Sequence, residues 1–398
     1  MRRVKIFVLV WVLCLLCTGC TAGSVPSPIE KATAVPLPTA APTAAPTPTA
    51  KPTPTVSPSP APTPSAEETV LAGMTLEEKA AQLFFVRCPD VGAKEMIEKM
   101  QPGGLLLFGR DFAGLTAEQV KETLSGYQTA AEIPLLIGAD EEGGTVVRVS
   151  QNPLLAPNRF LSPRSLYAQG GTDAVCTAER EKCSLLYDLG VRVNFAPVCD
   201  LSDDPTAFMY ARSLGLSPEE TAAVIGDMAA VYKEKQMGCV LKHFPGYGNA
   251  ADTHTGMAFD DRPWETFKTQ DLLPFAAGVK AGAACILVSH SVVSCVDSEK
   301  PASLSPLWHD VLRKELQFDG VIITDDLAMG AVGDYTDGAL AAVAAVLAGN
   351  DMLCCSDFDA QYAAVLAAVE SGEISEKRID DSVLRILRWK NEMGLLIK

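Results

Sequence analysis

The stretch Gly238-Cys239-Val240-Leu241-Lys242-His243-Phe244-Pro245-Gly246 joins a short apolar run to a cation, an imidazole and a Pro-Gly turn. The apolar run is typical of a short buried strand, and Pro-Gly marks a turn. Lys242 and His243 are therefore expected where a strand passes into a loop. Asp252 and His254 follow, so this region holds two of the chain's four histidines. We take it as the candidate active site.

Similar apolar runs recur along the chain with helical segments between them. One such helix is indicated by the capping box Ser217-Pro218-Glu219-Glu220. Alternation of strand and helix repeated eight times is typical of an α/β protein with a (β/α)8 TIM barrel. An open doubly wound sheet is the alternative, and it would carry a glycine-rich phosphate loop that this sequence lacks. The runs are Leu83–Val86, Gly104–Phe108, Leu135–Gly138, Val191–Val198, Gly238–Leu241, Cys285–Val288, Val321–Ile323 and Met352–Cys355.

Polar residues follow these runs at their carboxyl ends. In a (β/α)8 barrel the catalytic face is built from those ends and from the loops after them. The active site should therefore draw on several strands. The polar residues are Arg87, Arg110-Asp111, Asp140-Glu141-Glu142, Asp200, Lys242-His243, Ser289-His290, Asp325-Asp326 and Ser356-Asp357.

The N-terminus resembles an export signal. A basic start, an apolar run from Ile6 to Cys17 and small residues before Cys20 predict a secretory signal over residues 1–20. The small residues before Cys20 resemble a bacterial lipobox, although Cys17 stands where Leu is usual, and they predict lipidation of Cys20. We expect an extracytoplasmic protein anchored to the cell membrane by lipid alone. An ordinary signal peptide cleaved nearby, which would give a secreted protein, is the alternative.

Residues 21–66 are dominated by Pro, Thr, Ala and Ser, and 13 of the chain's 27 prolines lie between Pro26 and Pro64. Such a segment cannot bury a core and predicts a disordered linker. Residues 67–398 then form a single catalytic domain, which we expect to be monomeric. The formal net charge of −16 argues against nucleic acid as a partner, because phosphate binding requires a basic surface.

Of the chain's 12 cysteines, Cys14, Cys17 and Cys20 lie in the N-terminal segment, which leaves nine. Nine is an odd number, and several of these residues sit inside apolar strand runs, where cysteine behaves as a small hydrophobic residue. We expect mostly free thiols.

Two groups could carry acid/base or nucleophilic chemistry. Asp325 comes directly after a buried strand, where a carboxylate is held rigidly enough to act as a nucleophile, although Asp is also a common helix N-cap. Asp252 and His254 form an i, i+2 pair on a long loop, which suits an imidazole acid/base. A metal site formed by His243, Asp252 and His254 is the alternative, and we expect neither metal nor other cofactor.

Together these motifs resemble glycoside hydrolase family 3, in its β-N-acetylglucosaminidase (β-hexosaminidase) branch. The resemblance rests on Lys242-His243-Phe244-Pro245-Gly246 with Asp252-Thr253-His254, and on four motifs that follow the family's order over residues 70–395. These begin at Asp140, Asn194, Arg212 and Thr324. Departures from the usual pattern are Leu214 in place of Phe, Tyr247 in place of His and Thr253 in place of Ser.

The resemblance implies a retaining exo-β-N-acetylglucosaminidase acting on cell-wall fragments or related glycans. It assigns Asp325 as nucleophile, His254 as acid/base and Asp252 as the partner of His254. It assigns sugar binding to Asp140, Arg148, Arg212, Lys242 and His243. A β-glucosidase or phosphorylase on the same fold, or a sugar-binding lipoprotein without turnover, are the alternatives.

Overall fold

The computed structural model describes residues 64–248, 258–333, 335–336 and 338–396. Its main sheet has eight strands, and every pairing in it is parallel. We number these strands β1 Phe84–Arg87, β2 Gly104–Leu107, β3 Leu136–Ala139, β4 Val193–Asn194, β5 Gly238–Phe244, β6 Cys285–Val288, β7 Val321–Thr324 and β8 Leu353–Cys355. A separate pair, Phe259–Asp260 with Val292–Val293, lies outside this sheet.

The sheet closes on itself. β1 pairs with β2 on one side and with β8 on the other, and β7 reaches β8 through a parallel bridge between Ile323 and Met352. A doubly wound sheet would leave two open edges. The predicted (β/α)8 TIM barrel is therefore confirmed, and the open-sheet alternative is excluded.

Helices connect successive strands and cover the outside of the barrel. The helix Pro163–Leu189 bends at Gly170 and Gly171, whose backbone angles are not helical. The α-helices are α1 Ala66–Ala72, α2 Leu76–Gln82, α3 Ala93–Met100, α4 Gly109–Phe112, α5 Ala117–Ala130, α6 Pro163–Leu189, α7 Pro218–Glu234, α8 Trp264–Thr266, α9 Leu272–Ala281, α10 Pro306–Asp310, α11 Gly330–Gly333, α12 Gly338–Ala348, α13 Phe358–Glu370 and α14 Glu376–Glu392. π-helical turns span Phe267–Asp271 and Val311–Glu315, and Ala302–Leu304 is a 3-10 turn.

Side chains alternate between the inside and the outside of the barrel, as the period of two in a strand requires. In β1, Phe85 packs inside with residues such as Leu106 and Val240, while Phe84 and Val86 pack outward against the helices. Trp389 of α14 belongs to the interior cluster. The interior is thus a packed core whose floor is closed by the last helix.

Two strands differ from the prediction. The run Val191–Val198 forms a strand only at Val193–Asn194, and beyond it the chain stays beside β5 through a parallel bridge between Val198 and Lys242. β5 continues through Phe244, so Lys242 and His243 lie inside the strand and not after it. The sequence pattern missed this because charged residues are unusual in a buried strand.

The helix predicted from the capping box at Ser217 is confirmed. Ser217 accepts a hydrogen bond from the Glu220 N–H and opens α7 with a complete capping box. Ser375 caps α14, whose residues Ile379 and Ile386 lie two turns apart on one face and are buried.

The described cysteines, nine in number, are free, and all but Cys295 are buried. Burial raises the pKa of the Cys239 thiol to about 12, so that it remains protonated and behaves as a small apolar group. Within the described ranges, no helix is both long enough and apolar enough to cross a membrane.

One buried charge gives a stability prediction. Lys390 on α14 is fully buried, its Nζ donates to Gln82 Oε1 at 2.6 Å, and burial lowers its pKa to about 7. Between pH 7 and the ordinary lysine value of 10.5 the unfolded chain binds the extra proton, so stability rises with pH across that window. We expect Lys390→Met to raise the free energy of unfolding by about 2 kcal/mol at pH 6.

Urea denaturation at pH 6 and pH 9 tests this. The gain from Lys390→Met should shrink at pH 9, where wild-type Lys390 is neutral in the folded state. A variant that loses stability at pH 6 contradicts the prediction.

Candidate active site

Two large cavities lie at opposite ends of the barrel. One, of about 630 Å³, opens beside Gly238 and Gly320 at the amino ends of β5 and β7, and its lining holds none of the predicted site residues that the structure describes. The other, of about 870 Å³, lies at the carboxyl ends of the strands, the face on which barrel enzymes carry their chemistry. Its lining includes the predicted residues Asp140, Arg148, Arg212, Lys242, His243 and Asp325.

Lys242 is the centre of this cavity's charge cluster. Its Nζ lies 2.7 Å from Asp140 Oδ1 and 2.7 Å from Glu142 Oε1. The Lys242 side chain is 3% exposed, whereas Asp140 is 15% exposed and faces the cavity. Arg148 approaches the other Asp140 oxygen at 3.5 Å. Strand β5 thus delivers an ammonium group to carboxylates that follow strand β3.

Glu142 binds two cations at once. Its carboxylate accepts from Arg212 Nε at 2.9 Å and Nη2 at 2.7 Å, in addition to the contact with Lys242. Burial alone would raise the pKa of Glu142, but the charges of Lys242 and Arg212 outweigh it and hold the pKa well below its ordinary value. Burial likewise opposes charge on Lys242, yet Asp140 and Glu142 raise its pKa. Glu142 is therefore held as a carboxylate between the two cations.

His243 is held in one tautomer. Its Nδ1 lies 2.7 Å from Asp200 Oδ2, and its Nε2 lies 3.2 Å from Arg212 Nη2. Because a guanidinium group only donates, Nε2 accepts and Nδ1 donates to Asp200. Asp200 also accepts from the backbone N–H groups of His243 at 3.0 Å and Tyr247 at 2.8 Å. Asp200 thereby fixes both the ring and the turn that follows β5.

Glu141, between Asp140 and Glu142, points away from the cavity. Its carboxylate accepts backbone N–H bonds from Arg148 at 2.8 Å and Val149 at 2.7 Å. These bonds hold the segment that carries Arg148 against the end of β3. Three successive carboxylates therefore have three different roles.

Asp325 and Asp326 follow β7 and both line the cavity. The Asp326 N–H donates to Asp325 Oδ1 at 2.8 Å, and the Asp325 N–H donates to the Val288 carbonyl at 3.1 Å. Asp326 accepts from the Ala328 N–H at 3.0 Å and from the Ser356 hydroxyl at 2.6 Å. Asp326 thus closes the turn that follows β7 and caps no helix, and the Asp325 carboxylate borders the cavity.

His290 is a buried histidine with both ring nitrogens bonded. Its Nε2 lies 3.1 Å from the Asp326 carbonyl and its Nδ1 lies 2.7 Å from Ser303 Oγ. Burial lowers its pKa, which keeps the ring neutral, so Nε2 donates to the carbonyl and Nδ1 accepts from the hydroxyl. It supports the backbone beside Asp325 from behind.

Three of the predicted residues lie outside the described part of the chain: Cys20, Asp252 and His254. Their roles stay predictions. Among the residues that the structure does describe, no group of three or more His, Cys, Asp or Glu side chains is arranged to hold a metal ion.

The sequence reasoning overlooked the roles of Glu142 and Asp200. Both stood among the polar residues after strand runs, but neither was assigned to the site. The available signal was the Asp140-Glu141-Glu142 run, since carboxylates buried at a strand end require cations or hydrogen-bond donors nearby.

Comparison with known proteins places this geometry in a family. The family described as "Glycosyl hydrolase family 3 N terminal domain" matches residues 75–389. A protein from Methylococcus capsulatus named beta-hexosaminidase is 32% identical, over 73% of this chain and 90% of that protein.

Solved structures agree. A glycoside hydrolase family 3 beta-N-acetylglucosaminidase from a Paenibacillus species has a TM-score of 0.76 and 31% identity, and the match covers 81% of this chain and 63% of that one. A glycosyl hydrolase of family 3 from Mycobacterium smegmatis has a TM-score of 0.72 and 30% identity, covering 80% and 98%. The resemblance drawn from the motifs is confirmed, and the chain belongs to glycosyl hydrolase family 3.

Proposed function

We propose that the chain is a retaining exo-β-N-acetylglucosaminidase that releases terminal N-acetylglucosamine from cell-wall fragments or related glycans. The observation that carries this is the shared cavity, which brings Asp325 together with the ion-paired cluster of Asp140, Glu142, Lys242 and Arg212. The names of the relatives in the Methylococcus and Paenibacillus comparisons support the choice of sugar.

The charge cluster suits the binding of a terminal sugar. Carboxylate oxygens of Asp140 and the ammonium of Lys242 offer acceptors and donors to hydroxyl groups, and their mutual contacts hold them in place before substrate arrives. Because this cluster lies beside the β3 and β5 ends while Asp325 follows β7, a sugar ring bound by the cluster would present its anomeric carbon to Asp325.

The reaction then proceeds in two steps. An Asp325 oxygen attacks the anomeric carbon from the face opposite the leaving group, the glycosidic C–O bond breaks, and His254 gives its proton to the departing oxygen. In the second step His254 takes a proton from water, whose oxygen attacks the same carbon from the other face and frees the Asp325 carboxylate. Two inversions give retention of configuration. Asp252 would support the charge that His254 carries before the first step and again after the second.

A panel of aryl β-glycosides tests the proposal. We expect the β-N-acetylglucosaminide to be cleaved at least about 100-fold more efficiently than the β-glucoside, because a site built to bind a polar group discriminates strongly against substrates that lack it. The assay runs in phosphate-containing and phosphate-free buffer, with the anomer of the product followed by NMR.

The outcomes separate the alternatives. Faster turnover in phosphate with a sugar 1-phosphate product would indicate a phosphorylase, and preference for the glucoside would indicate a β-glucosidase. Sugar binding without turnover of any glycoside would leave a binding protein. Loss of activity with EDTA would favour the metal alternative.

We also propose that the protein is anchored to the outer side of the cell membrane through lipid on Cys20. The support is the residue pattern of positions 1–20, with a basic start, a short apolar run and small residues before Cys20. Cys20→Ser should move the protein from the membrane fraction to the soluble exported fraction and remove the lipid mass from its N-terminal peptide. Unchanged membrane retention in this variant would contradict the proposal.

A further inference from the structure

An ion pair is buried in the wall of the barrel, behind the active-site cavity. Lys182 and Glu179 lie one turn apart on α6, their Nζ and Oε1 atoms are 2.5 Å apart, and both side chains are 0% exposed. Neither residue lines the cavity. Removing two charges from water costs free energy that their attraction often fails to return, so apolar residues would serve stability as well. The pair therefore calls for another explanation.

The contacts of this pair lead to the backbone of the active site. Lys182 Nζ donates to the main-chain carbonyl of Glu142 at 2.9 Å. Glu179 Oε2 accepts from the Tyr232 hydroxyl at 2.7 Å, and that hydroxyl accepts from Asn194 Nδ2 at 2.7 Å. Burial, together with the charge of Glu179, raises the pKa of Tyr232 well above its ordinary value, so the phenol keeps its proton.

Asn194 completes the connection. Its Oδ1 accepts from the Glu141 N–H at 2.9 Å and its Nδ2 donates to the Glu141 carbonyl at 3.1 Å. One chain of hydrogen bonds therefore holds the main chain at residues 141 and 142. It consists of four fully buried residues, Glu179, Lys182, Asn194 and Tyr232. We call these four residues the Lys182 network.

On the cavity side, the same short segment carries the carboxylates of Asp140 and Glu142, each 2.7 Å from Lys242 Nζ. A displacement of the segment by a fraction of an ångström would lengthen both contacts and move the ammonium group. We propose that the Lys182 network is a positioning device that sets the place of Asp140 and Glu142, and through them of Lys242, for sugar binding. This rests on the proposed function of the cavity.

The test compares two replacements of a fully buried lysine in the full-length chain. One is Lys182→Met combined with Glu179→Gln, which removes both charges so that no lone charge stays buried. The matched control is Lys390→Met, since Lys390 is equally buried but contacts Gln82 at the opposite end of the barrel. The readouts are Tm, and kcat and KM for an aryl β-N-acetylglucosaminide.

We expect the double variant to lose at least about 30-fold in kcat/KM, mainly through KM, with Tm within about 4 °C of wild type. Lys390→Met should change kcat/KM less than about twofold. A merely structural role would not depend on Lys242. In a Lys242→Met background, therefore, the double variant should lose less than about threefold in kcat/KM. The reason is that Lys242, through which the network acts on sugar binding, is already absent.

Wild-type kcat/KM in the double variant, or equal losses with and without Lys242, would overturn the proposal. If the double variant melts far below wild type, Tyr232→Phe replaces it, because this change removes the hydrogen bond to Asn194 and keeps the ion pair.

Hydrogen exchange of the backbone N–H groups of residues 140–150 tests the network independently of the proposed function. Exchange should speed up in the double variant and not in Lys390→Met, whichever glycoside the protein cleaves, and unchanged exchange would count against the network.

Discussion

Asp325→Ala is expected to lower kcat for an aryl β-N-acetylglucosaminide by at least about 10⁴-fold, while the far-UV circular dichroism and Tm stay near those of wild type. The expected loss follows from the position of the Asp325 carboxylate. Asp325 follows β7 at the edge of the cavity and is held by its N–H bond to Val288. Without its carboxylate no covalent intermediate forms, and water would have to attack directly.

Asp326 supplies the matched control. It is the next residue and also borders the cavity, but its carboxylate accepts from Ala328 and Ser356. Asp326→Asn keeps an oxygen for the Ala328 N–H, and its new NH2 group can donate to the Ser356 hydroxyl oxygen, so this variant should lower kcat less than about tenfold. A larger loss for Asp326→Asn than for Asp325→Ala would reverse the assignment of the nucleophile.

Products formed with azide provide a second test of the roles assigned to Asp325 and His254. In Asp325→Ala an azide ion can occupy the space of the lost carboxylate and displace the aryl group in a single inversion, which gives an α-glycosyl azide. In His254→Ala the intermediate still forms from an activated aryl substrate, and azide then attacks it to give the β-glycosyl azide. Exchange of these two configurations would contradict the roles given to Asp325 and His254.

The sequence predicted the barrel because strand burial leaves a simple pattern. Runs such as Cys285–Val288 and Val321–Ile323 are apolar, short and followed by polar residues, and both became strands. Asp140, Lys242 and Asp325 could be placed in one cavity for the same reason, since parallel strands bring their carboxyl ends to one face.

The partners of these residues could not be predicted from the sequence. The distance from Lys242 to Glu142 depends on the register between the strands of the barrel. The local sequence around either residue does not determine this register. The Lys182 network was missed for a related reason. A lysine on a helix is usually solvent-exposed, and the packing of α6 between α5 and α7 makes Lys182 fully buried.

The charge cluster also explains why Lys242 should be sensitive to substitution. Asp140 and Glu142 both lie within 2.7 Å of its Nζ, and in its absence Arg212 would be the remaining close cation for Glu142. Burial would then raise the pKa of Glu142, because the largest single charge that opposes it is gone. Losing the ammonium group would thus disturb both carboxylates that it binds.

We therefore expect Lys242→Met to lower kcat/KM by about 10³-fold and to weaken the binding of N-acetylglucosamine measured by calorimetry. Arg148→Met is the comparison. Arg148 contacts Asp140 at 3.5 Å and its side chain is more exposed, so its loss should cost only about tenfold. Similar losses in the two variants would mean that the buried contacts of Lys242 add nothing to sugar binding.

Acid unfolding provides a measure that does not depend on activity. In the wild type the pKa of Glu142 is depressed in the folded state, so its ionisation contributes stability above its ordinary value of 4.5, and this contribution is lost as pH falls below that value. Without Lys242 the folded-state pKa of Glu142 rises, and the contribution shrinks at neutral pH. Lys242→Met should therefore unfold at a higher pH than wild type on acid titration, whereas Arg148→Met should not. An unchanged acid midpoint in Lys242→Met would show that Arg212 alone holds Glu142 ionised, and the predicted loss of sugar binding would then rest on the missing ammonium group and not on a displaced Glu142.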